Sequence, residues 1–353
     1  MKIVVNNIAA STSGALSILH SFYDYIRLES DKEIEWIFLL NDNYIEETKN
    51  IKVIILKDVK KTWIRRLTFD CFTGKKLVSK LKPDIVFSLQ NTIFFGVDCP
   101  QVLYVHQSIP FQDEKKFSFL KPEERILAVY QHIIGRMIIK SIKKADKIIV
   151  QTIWMRERII RKTNINPRKI LSFMPPQVNK AESKFGLSYS NTTFFYPAQE
   201  ILYKNHECIY KANNELKQKG IREHEIILTI DQEKTEKNIS FIGKIEQKDV
   251  MEYYSRTTLV FPSYIETVGL PLIEAREIGS IILAADCPYA REVLGNYENA
   301  YFFNPFSPKE LAILMEKVLN SEIKKIEVEK KVEKTINSWQ EVIKVIKQEI
   351  GEV

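Results

Sequence analysis

The sequence predicts an α/β protein made of two doubly wound, Rossmann-like domains that face each other across a cleft. Short apolar runs rich in β-branched residues alternate with amphipathic stretches of helical period, a pattern typical of parallel strands joined by helices. The alternation stops around Pro175–Pro176 and then starts again. The chain has 353 residues, and this is about twice the length of a usual single domain.

In the first half, most of the predicted strands are continuous apolar runs, as expected when helices cover both faces of a parallel sheet. These strands are Ile3–Val5, Ile34–Leu40, Val53–Leu56, Ile85–Leu89, Val102–Val105 and Lys147–Gln151. Helices are predicted between them, most clearly at Ala15–Leu28 and Glu123–Lys144. We therefore assign residues 1–175 to an N-terminal domain.

A polar stretch without periodicity, Gln177–Asn191, indicates a linker, and a second series of strands and helices follows it. The predicted strands are Thr193–Tyr196, Glu225–Ile230, Ser240–Ile242, Thr258–Phe261 and Ile281–Ala284. The predicted helices are His206–Lys219, Lys248–Ser255, Leu270–Gly279, Ala290–Leu294 and Pro308–Asn320. Residues 190–325 form the predicted C-terminal domain. Residues 326–353 carry a long charged helical pattern with Trp339, and we expect this helix to pack back toward the N-terminal domain.

Composition narrows the class of protein. Hydrophobic residues make up 45% and charged residues 27% of the chain, enough for ordinary globular cores. The N-terminal apolar run is too short for a signal peptide, and no apolar stretch approaches the roughly 18 residues of a membrane span. Four scattered cysteines without a CxxC pair indicate reduced thiols in the cytoplasm. The net charge of +7 fits phosphorylated ligands, anionic lipid or nucleic acid, or simply a solvated surface.

The segment Phe261–Ala275, FPSYIETVGLPLIEA, carries the chemistry. It begins as a strand end, turns through a loop and enters a helix with a proline near its first position. The free N–H groups of Val268, Gly269 and Leu270 would point out of this helix start, which is a good place to bind phosphate. Gly269 also lets a ligand approach the backbone closely.

Glu266 and Glu274 flank this helix start and could hold a sugar at one end and a ribose at the other. Their spacing alone also fits a helix cap and an ordinary acidic residue of the first turns. With its neighbours, including Ala285–Gly295, the segment resembles the E-x7-E signature of retaining glycosyltransferases of the GT-B type, specifically glycosyltransferase family 4. The resemblance implies that Glu266 holds the donor sugar's hydroxyls and Glu274 the ribose. It also implies that the backbone at 268–270 contacts sugar and pyrophosphate.

The resemblance extends to other positions of the second domain. Gly243 and Ile245 follow a strand that is similar to the family's base-binding strand and loop. Lys204 precedes a helix, where a lysine can neutralise a pyrophosphate, and it matches the family's phosphate-binding lysine. A second basic ligand is usual about six residues earlier, but Ala198 stands near that position. Arg291 is our candidate to replace this missing basic ligand.

The first domain, which the resemblance identifies as the acceptor domain, supplies two further candidates. Gly14 lies in a small-residue turn after the first strand and is similar to the family's glycine-rich loop, although a double glycine is usual there. His106 is predicted at the carboxyl end of a strand, where the cleft should lie. The resemblance implies a hydrogen bond from His106 to a distal hydroxyl of the donor sugar. A structural histidine at a strand end is the alternative.

The resemblance as a whole implies a retaining glycosyltransferase of bacterial capsule or O-antigen type. It would use a nucleotide-sugar donor and a glycan or undecaprenyl-diphosphate-linked acceptor. The absence of a D-x-D motif predicts a metal-independent enzyme without a cofactor, and P-loop, GxGxxG and zinc motifs are missing as well. The basic segment Trp63–Leu67 could touch the anionic inner leaflet. A non-hydrolysing nucleotide-sugar epimerase is the alternative enzyme, and no motif supports a nucleic-acid partner.

Overall fold

The structure is a computed structural model that describes residues 1–10, 13–29, 33–175, 188–232, 236–327 and 338–351. In this part of the chain, the two predicted doubly wound domains are confirmed, each built on one parallel sheet. None of the helices in the described ranges could span a bilayer. The four cysteines are free thiols, and Cys208 and Cys287 are buried.

The described N-terminal half forms a seven-stranded parallel sheet in the order β3-β2-β1-β4-β5-β6-β7. The strands are β1 Lys2–Asn6, β2 Glu35–Leu40, β3 Ile51–Ile55, β4 Ile85–Ser88, β5 Gln101–Val105, β6 Lys147–Val150 and β7 Ile170–Ser172. The helices are α1 Ser13–Glu29, α2 Trp63–Thr68, α3 Gly74–Leu81, α4 Arg125–Ala128, α5 Gly135–Lys144 and α6 Ile153–Thr163. The central strands are buried on both faces, which explains their continuous apolar sequences.

The described C-terminal half forms a six-stranded parallel sheet in the order β10-β9-β8-β11-β12-β13. Its strands are β8 Thr193–Tyr196, β9 Glu225–Leu228, β10 Ile239–Phe241, β11 Thr258–Phe261, β12 Ile282–Ala285 and β13 Ala300–Phe303. Its helices are α7 His206–Gln218, α8 Gln247–Arg256, α9 Leu270–Ile278, α10 Pro288–Leu294 and α11 Pro308–Leu319.

Several elements were missing from the sequence prediction. Strands β7 and β13 are both edge strands of only three and four residues, too short to show a clear period in the sequence. Helix α6 was not predicted either. The long helix predicted at Glu123–Lys144 is divided by a π-helical turn at Val129–Ile134. This turn shifts the buried face, so a single helical period does not describe the whole stretch.

The C-terminal tail contains helix α12, Ser338–Gln348, which packs on the N-terminal domain. Trp339 is 1% exposed and its ring lies 5.0 Å from Phe22 and 5.7 Å from Tyr104, centroid to centroid. Its indole N–H donates to Ser21 Oγ at 2.9 Å. Residues 328–337 of the predicted tail helix and residues 177–187 of the predicted linker lie outside the described residues.

The strand order fixes where a ligand can bind in each domain. In the C-terminal sheet the order reverses between β8 and β11, and in the N-terminal sheet it reverses between β1 and β4. In open parallel sheets, ligands bind outside the carboxyl ends of the strands at such a switch point. The loops that leave these strand ends therefore form the expected site.

Candidate active site

Lys204 and Glu266 lie on the two loops that flank the switch point of the C-terminal sheet. Lys204 ends a short 3₁₀ turn, Leu202–Lys204, in the connection after β8, and Glu266 lies in the loop after β11. The Lys204 ammonium forms an ion pair with Glu266 Oε1. The two side chains are 19% and 15% exposed, so the pair is sheltered but reachable from the cleft.

The backbone around Lys204 is held by side chains that the sequence analysis did not single out. Asn205 adopts a left-handed conformation with φ of 61° just before α7, which asparagine tolerates better than most residues. Its amide donates to the carbonyl of Pro262 at 3.2 Å and to that of Pro305 at 2.8 Å. The Tyr196 hydroxyl donates to the Lys204 carbonyl at 2.8 Å. These bonds tie the lysine loop to the glutamate loop.

The start of helix α9 has the geometry of an anion site. Gly269 has a φ of 76°, and a Cβ there would lie 3.2 Å from the Tyr289 ring, so glycine is required for two reasons. Val268 is 4% exposed, whereas Leu270 is 44% exposed. Among the described residues, the N–H groups of 268, 269 and 270 have no acceptor. They are therefore available to a phosphate at the positive end of the helix.

Glu274 lies on α9 and is held by two side chains from α8. Gln247 Nε2 donates to its Oε1 at 3.0 Å, and the Tyr254 hydroxyl donates to its Oε2 at 3.3 Å. Glu274 remains partly exposed. The predicted ribose contact stays a prediction, but these partners fix the direction of the carboxylate before any ligand arrives.

Gly243 and Ile245, the predicted base-binding residues, follow strand β10 at the edge of the sheet. Gly243 has a φ of 67°, and a Cβ there would lie only 2.6 Å from Asp231 Oδ1. The loop therefore favours glycine for its backbone conformation, whereas the exposed Asp231 side chain could turn away from a Cβ. Both Gly243 and Ile245 are half-buried, and their contact with a base stays a prediction.

His106 follows β5 in the N-terminal domain, and its hydrogen bonds define its tautomer. Asn91 Oδ1 accepts the backbone N–H groups of His106 at 2.7 Å and Gln107 at 2.9 Å, so Asn91 Nδ2 faces His106 Nε2 at 3.2 Å. Because an amide nitrogen donates, Nε2 must accept, and the proton of the neutral ring lies on Nδ1. Burial lowers the pKa of His106 to about 4. The buried Nδ1 has no hydrogen-bond partner within the described ranges, so its proton is unused there.

The two domains meet beside these residues. The Thr267 hydroxyl donates to the His106 carbonyl at 2.8 Å, which connects the residue next to Glu266 with the histidine of the other domain. The structure therefore brings Lys204, Glu266, the start of α9 and His106 to one cleft, as expected from their positions at strand ends.

Two predicted residues lie in less suitable surroundings. Arg291 donates to the Asp286 carboxylate from Nε at 2.6 Å and from Nη2 at 2.8 Å. Its guanidinium carbon lies 3.7 Å from the Phe302 ring centroid. Its charge is therefore already paired, and the structure does not link it to Lys204. Gly14 is exposed in the first turn of α1, where a Cβ would meet nothing within 4 Å. The two residues before Ser13 lie outside the described chain.

The proposed membrane segment Trp63–Leu67 forms most of α2. Arg65 is exposed and Leu67 is 41% exposed, while the side chains of Trp63 and Ile64 lie outside the described set.

Arg158 was missed because its helix, α6, was not predicted. It lines the same pocket as Glu266, Trp154 and Tyr289, and its guanidinium forms an ion pair with Asp113. The side chain of Arg158 is 20% exposed. It is therefore a basic group of the N-terminal domain that lies close to the loop that carries Glu266.

Comparison with known proteins finds relatives of the sequence and of the fold. Residues 183–338 match the family described as glycosyl transferases group 1. The O-antigen chain mannosyltransferase RfbU of Salmonella typhimurium (strain LT2) is 24% identical over 295 residues, which cover 75% of this chain and 81% of RfbU.

Solved structures resemble the whole chain. Sucrose-phosphate synthase from Thermosynechococcus elongatus has a TM-score of 0.66 at 14% identity, with coverage of 99% of this chain and 96% of that chain. HepE from Anabaena in complex with UDP-glucose has a TM-score of 0.64 at 14% identity, with coverage of 100% and 98%. At this identity the likeness establishes the fold alone, and the GT-B fold is confirmed. The GT-B fold, the matched C-terminal region and the mannosyltransferase relative together support a glycosyltransferase.

Proposed function

We propose that the protein is a retaining glycosyltransferase of family 4 type, which transfers a sugar from a nucleotide sugar to a glycan acceptor. The observation that carries this proposal is the Lys204–Glu266 pair at the switch point, with the free N–H groups of α9 beside it. A cation and a helix start next to a carboxylate suit a ligand that has a diphosphate at one end and hydroxyls at the other.

In the proposed complex, the donor diphosphate binds between the Lys204 ammonium and the α9 start. Lys204 then exchanges its ion pair with Glu266 for the phosphate, and Glu266 becomes free to accept sugar hydroxyls. Negative charge grows on the leaving phosphate in the transition state, where a fixed cation and fixed N–H groups are most effective. This mechanism needs no metal ion or cofactor.

Retention is supported by the state of His106. An inverting transferase needs a general base to deprotonate the acceptor. Nε2 of His106 already accepts a hydrogen bond from Asn91, and Nδ1 carries the ring proton, so neither nitrogen is free to take one. His106 is therefore suited to donate to a donor hydroxyl rather than to act as the base.

For the acceptor, we propose an oligosaccharide linked to undecaprenyl diphosphate in the synthesis of bacterial O-antigen or capsule. The support is the O-antigen chain mannosyltransferase, whose similarity extends over most of both chains. The enzyme would work in the cytoplasm at the inner face of the membrane, with α2 as a peripheral contact. The nucleotide-sugar epimerase is not favoured by the same comparisons.

A thermal-shift screen in EDTA against UDP, GDP, dTDP, CMP and their sugars identifies the donor. A specific ligand at 100 times its dissociation constant should add about 2.7 kcal/mol to the free energy of unfolding. The α-linked donor so found is then incubated with acceptor sugars, and NMR of the anomeric proton should show an α-linked product. A β-linked product contradicts retention, a requirement for manganese contradicts the metal-free mechanism, and an epimerised nucleotide sugar without transfer supports the alternative enzyme.

A further inference from the structure

Glu292 lies on α10 of the C-terminal domain and binds the first turn of α6 in the N-terminal domain. Its Oε1 accepts the backbone N–H of Ile153 at 2.7 Å, and its Oε2 accepts that of Trp154 at 2.7 Å. The first N–H groups of a helix have no partner inside the helix. A carboxylate satisfies them and also interacts favourably with the positive end of the helix dipole. Glu292 thus caps a helix of the other domain.

The residue that would normally cap α6 makes a different contact. Thr152 precedes the helix, but its side chain makes no capping bond. Its hydroxyl donates instead to the Thr267 carbonyl at 3.1 Å, and the Trp154 indole N–H donates to the same carbonyl at 2.9 Å. The start of α6 is therefore bound to the C-terminal domain at two places, Glu292 and Thr267.

Thr267 connects this contact to the candidate active site. It is the residue between Glu266 and the free N–H groups of α9, and its hydroxyl donates to the His106 carbonyl. The separation between Glu266 and His106 therefore depends on how α6 lies against α10. A shift of α6 would move the two sides of the donor pocket relative to each other.

We propose that Glu292 is a positioning residue of the transferase, acting through α6 and Thr267 to hold the donor loop against the acceptor domain. This inference rests on the proposed function. Glu292 has no assigned contact with donor or acceptor. Its effect is on geometry, because a misplacement of about 1 Å at a reacting centre can reduce the rate by about 100-fold. The contacts of Glu292 and Thr267 with α6 also keep the cleft closed, which limits hydrolysis of the donor by water.

The test compares Glu292→Ala and Glu292→Gln with the wild-type enzyme. We expect Glu292→Ala to lower kcat for transfer by about 10- to 100-fold, in line with the cost of misplacement. The nucleotide dissociation constant should change less than about twofold, because Glu292 binds Ile153 and Trp154 of α6 and is not itself a predicted nucleotide ligand. The fraction of donor that is hydrolysed rather than transferred should rise. The Glu292→Gln variant retains one acceptor oxygen, so its kcat should lie between that of the wild-type enzyme and that of Glu292→Ala.

A readout that does not need activity separates this proposal from the proposed function. Hydrogen exchange of the Ile153 and Trp154 amides should be faster in Glu292→Ala, because both lose their acceptor. The matched control is Glu298→Ala, an exposed carboxylate just beyond α10. Unchanged kcat and hydrolysis fraction, together with faster exchange, would overturn the proposal and leave Glu292 as a structural cap. Unchanged exchange would overturn the contact itself, whether or not the enzyme is a transferase.

Discussion

The two halves of the cleft differ in how completely contacts within the protein hold their polar groups in place. In the C-terminal half, Asn205, Gly243 and Gly269 all have positive φ at the ends of strands or turns, and each lies beside a predicted ligand-binding group. In the N-terminal half, Asn6 is fully buried at the end of β1, yet neither polar atom of its side-chain amide has a hydrogen-bond partner among the described residues. Gln90, after β4, is also buried, and its amide nitrogen has no acceptor in the part of the chain that the structure describes.

This difference indicates how each half meets its ligand. The C-terminal half, which is the donor side in our proposal, is fixed in advance by backbone conformation, by the Lys204–Glu266 pair and by the partners of Glu274. Buried polar groups without a protein partner are usually completed by ordered water or by a ligand. Part of the hydrogen bonding of the N-terminal half, the acceptor side in our proposal, is therefore left for water or a ligand to complete. Substitutions on the two sides should accordingly affect different kinetic constants.

The largest effect is expected for Lys204→Ala. Its ammonium is the cation nearest to Glu266, and charge on the leaving phosphate grows in the transition state. We expect kcat to fall by about 100- to 1,000-fold, the range seen when one donor to a developing charge is removed. The loss in donor affinity should be smaller, which steady-state kinetics and calorimetry can separate.

The control for this prediction is Lys211→Ala, because Lys211 is an exposed lysine on α7 that pairs with Glu207. An unchanged kcat in Lys204→Ala would transfer the phosphate role to another basic group. Arg158 would then be the first to examine, since it lines the same pocket as Glu266.

A smaller effect, on binding alone, is expected for Glu274→Ala. Hydrogen bonds to a charged group contribute about 1.5–3 kcal/mol, so the nucleotide dissociation constant should rise at least about tenfold. The variant also removes the acceptor of the buried Tyr254 hydroxyl, so Glu274→Gln, which keeps an acceptor oxygen there, is the companion variant. Calorimetry with the nucleotide found in the screen measures the dissociation constant for both variants. Glu277→Ala, on the exposed side of the same helix, is the control, and equal affinity in all variants would rule out the ribose contact.

The sequence located the residues of the C-terminal half of the cleft better than the contacts that join the two halves, for physical reasons. Glu266, the α9 start and Lys204 lie at the ends of buried strands, and parallel strands bring their carboxyl ends to one edge whatever the rest of the chain does. The contacts that complete the cleft, such as Thr267 with His106 and Glu292 with α6, join different domains. They depend on the orientation between domains, which local patterns do not contain. Arg158 was missed for the simpler reason that its helix was not recognised.

The smallest effect is expected on the acceptor side, for His106→Ala. The variant removes one neutral N–H donor, which contributes about 0.5–1.5 kcal/mol, so kcat/KM for the donor should fall by about tenfold or less. Affinity for the nucleotide without its sugar should not change, because His106 is expected to contact only the sugar. The Thr267 hydroxyl binds the His106 carbonyl, so this contact between the domains survives the substitution. His20→Ala, an exposed histidine on α1, is the matched control. A loss far beyond tenfold, with an acidic limb in the pH profile that disappears in the variant, would instead identify His106 as a general base and would reverse the assignment of its ring proton to Nδ1.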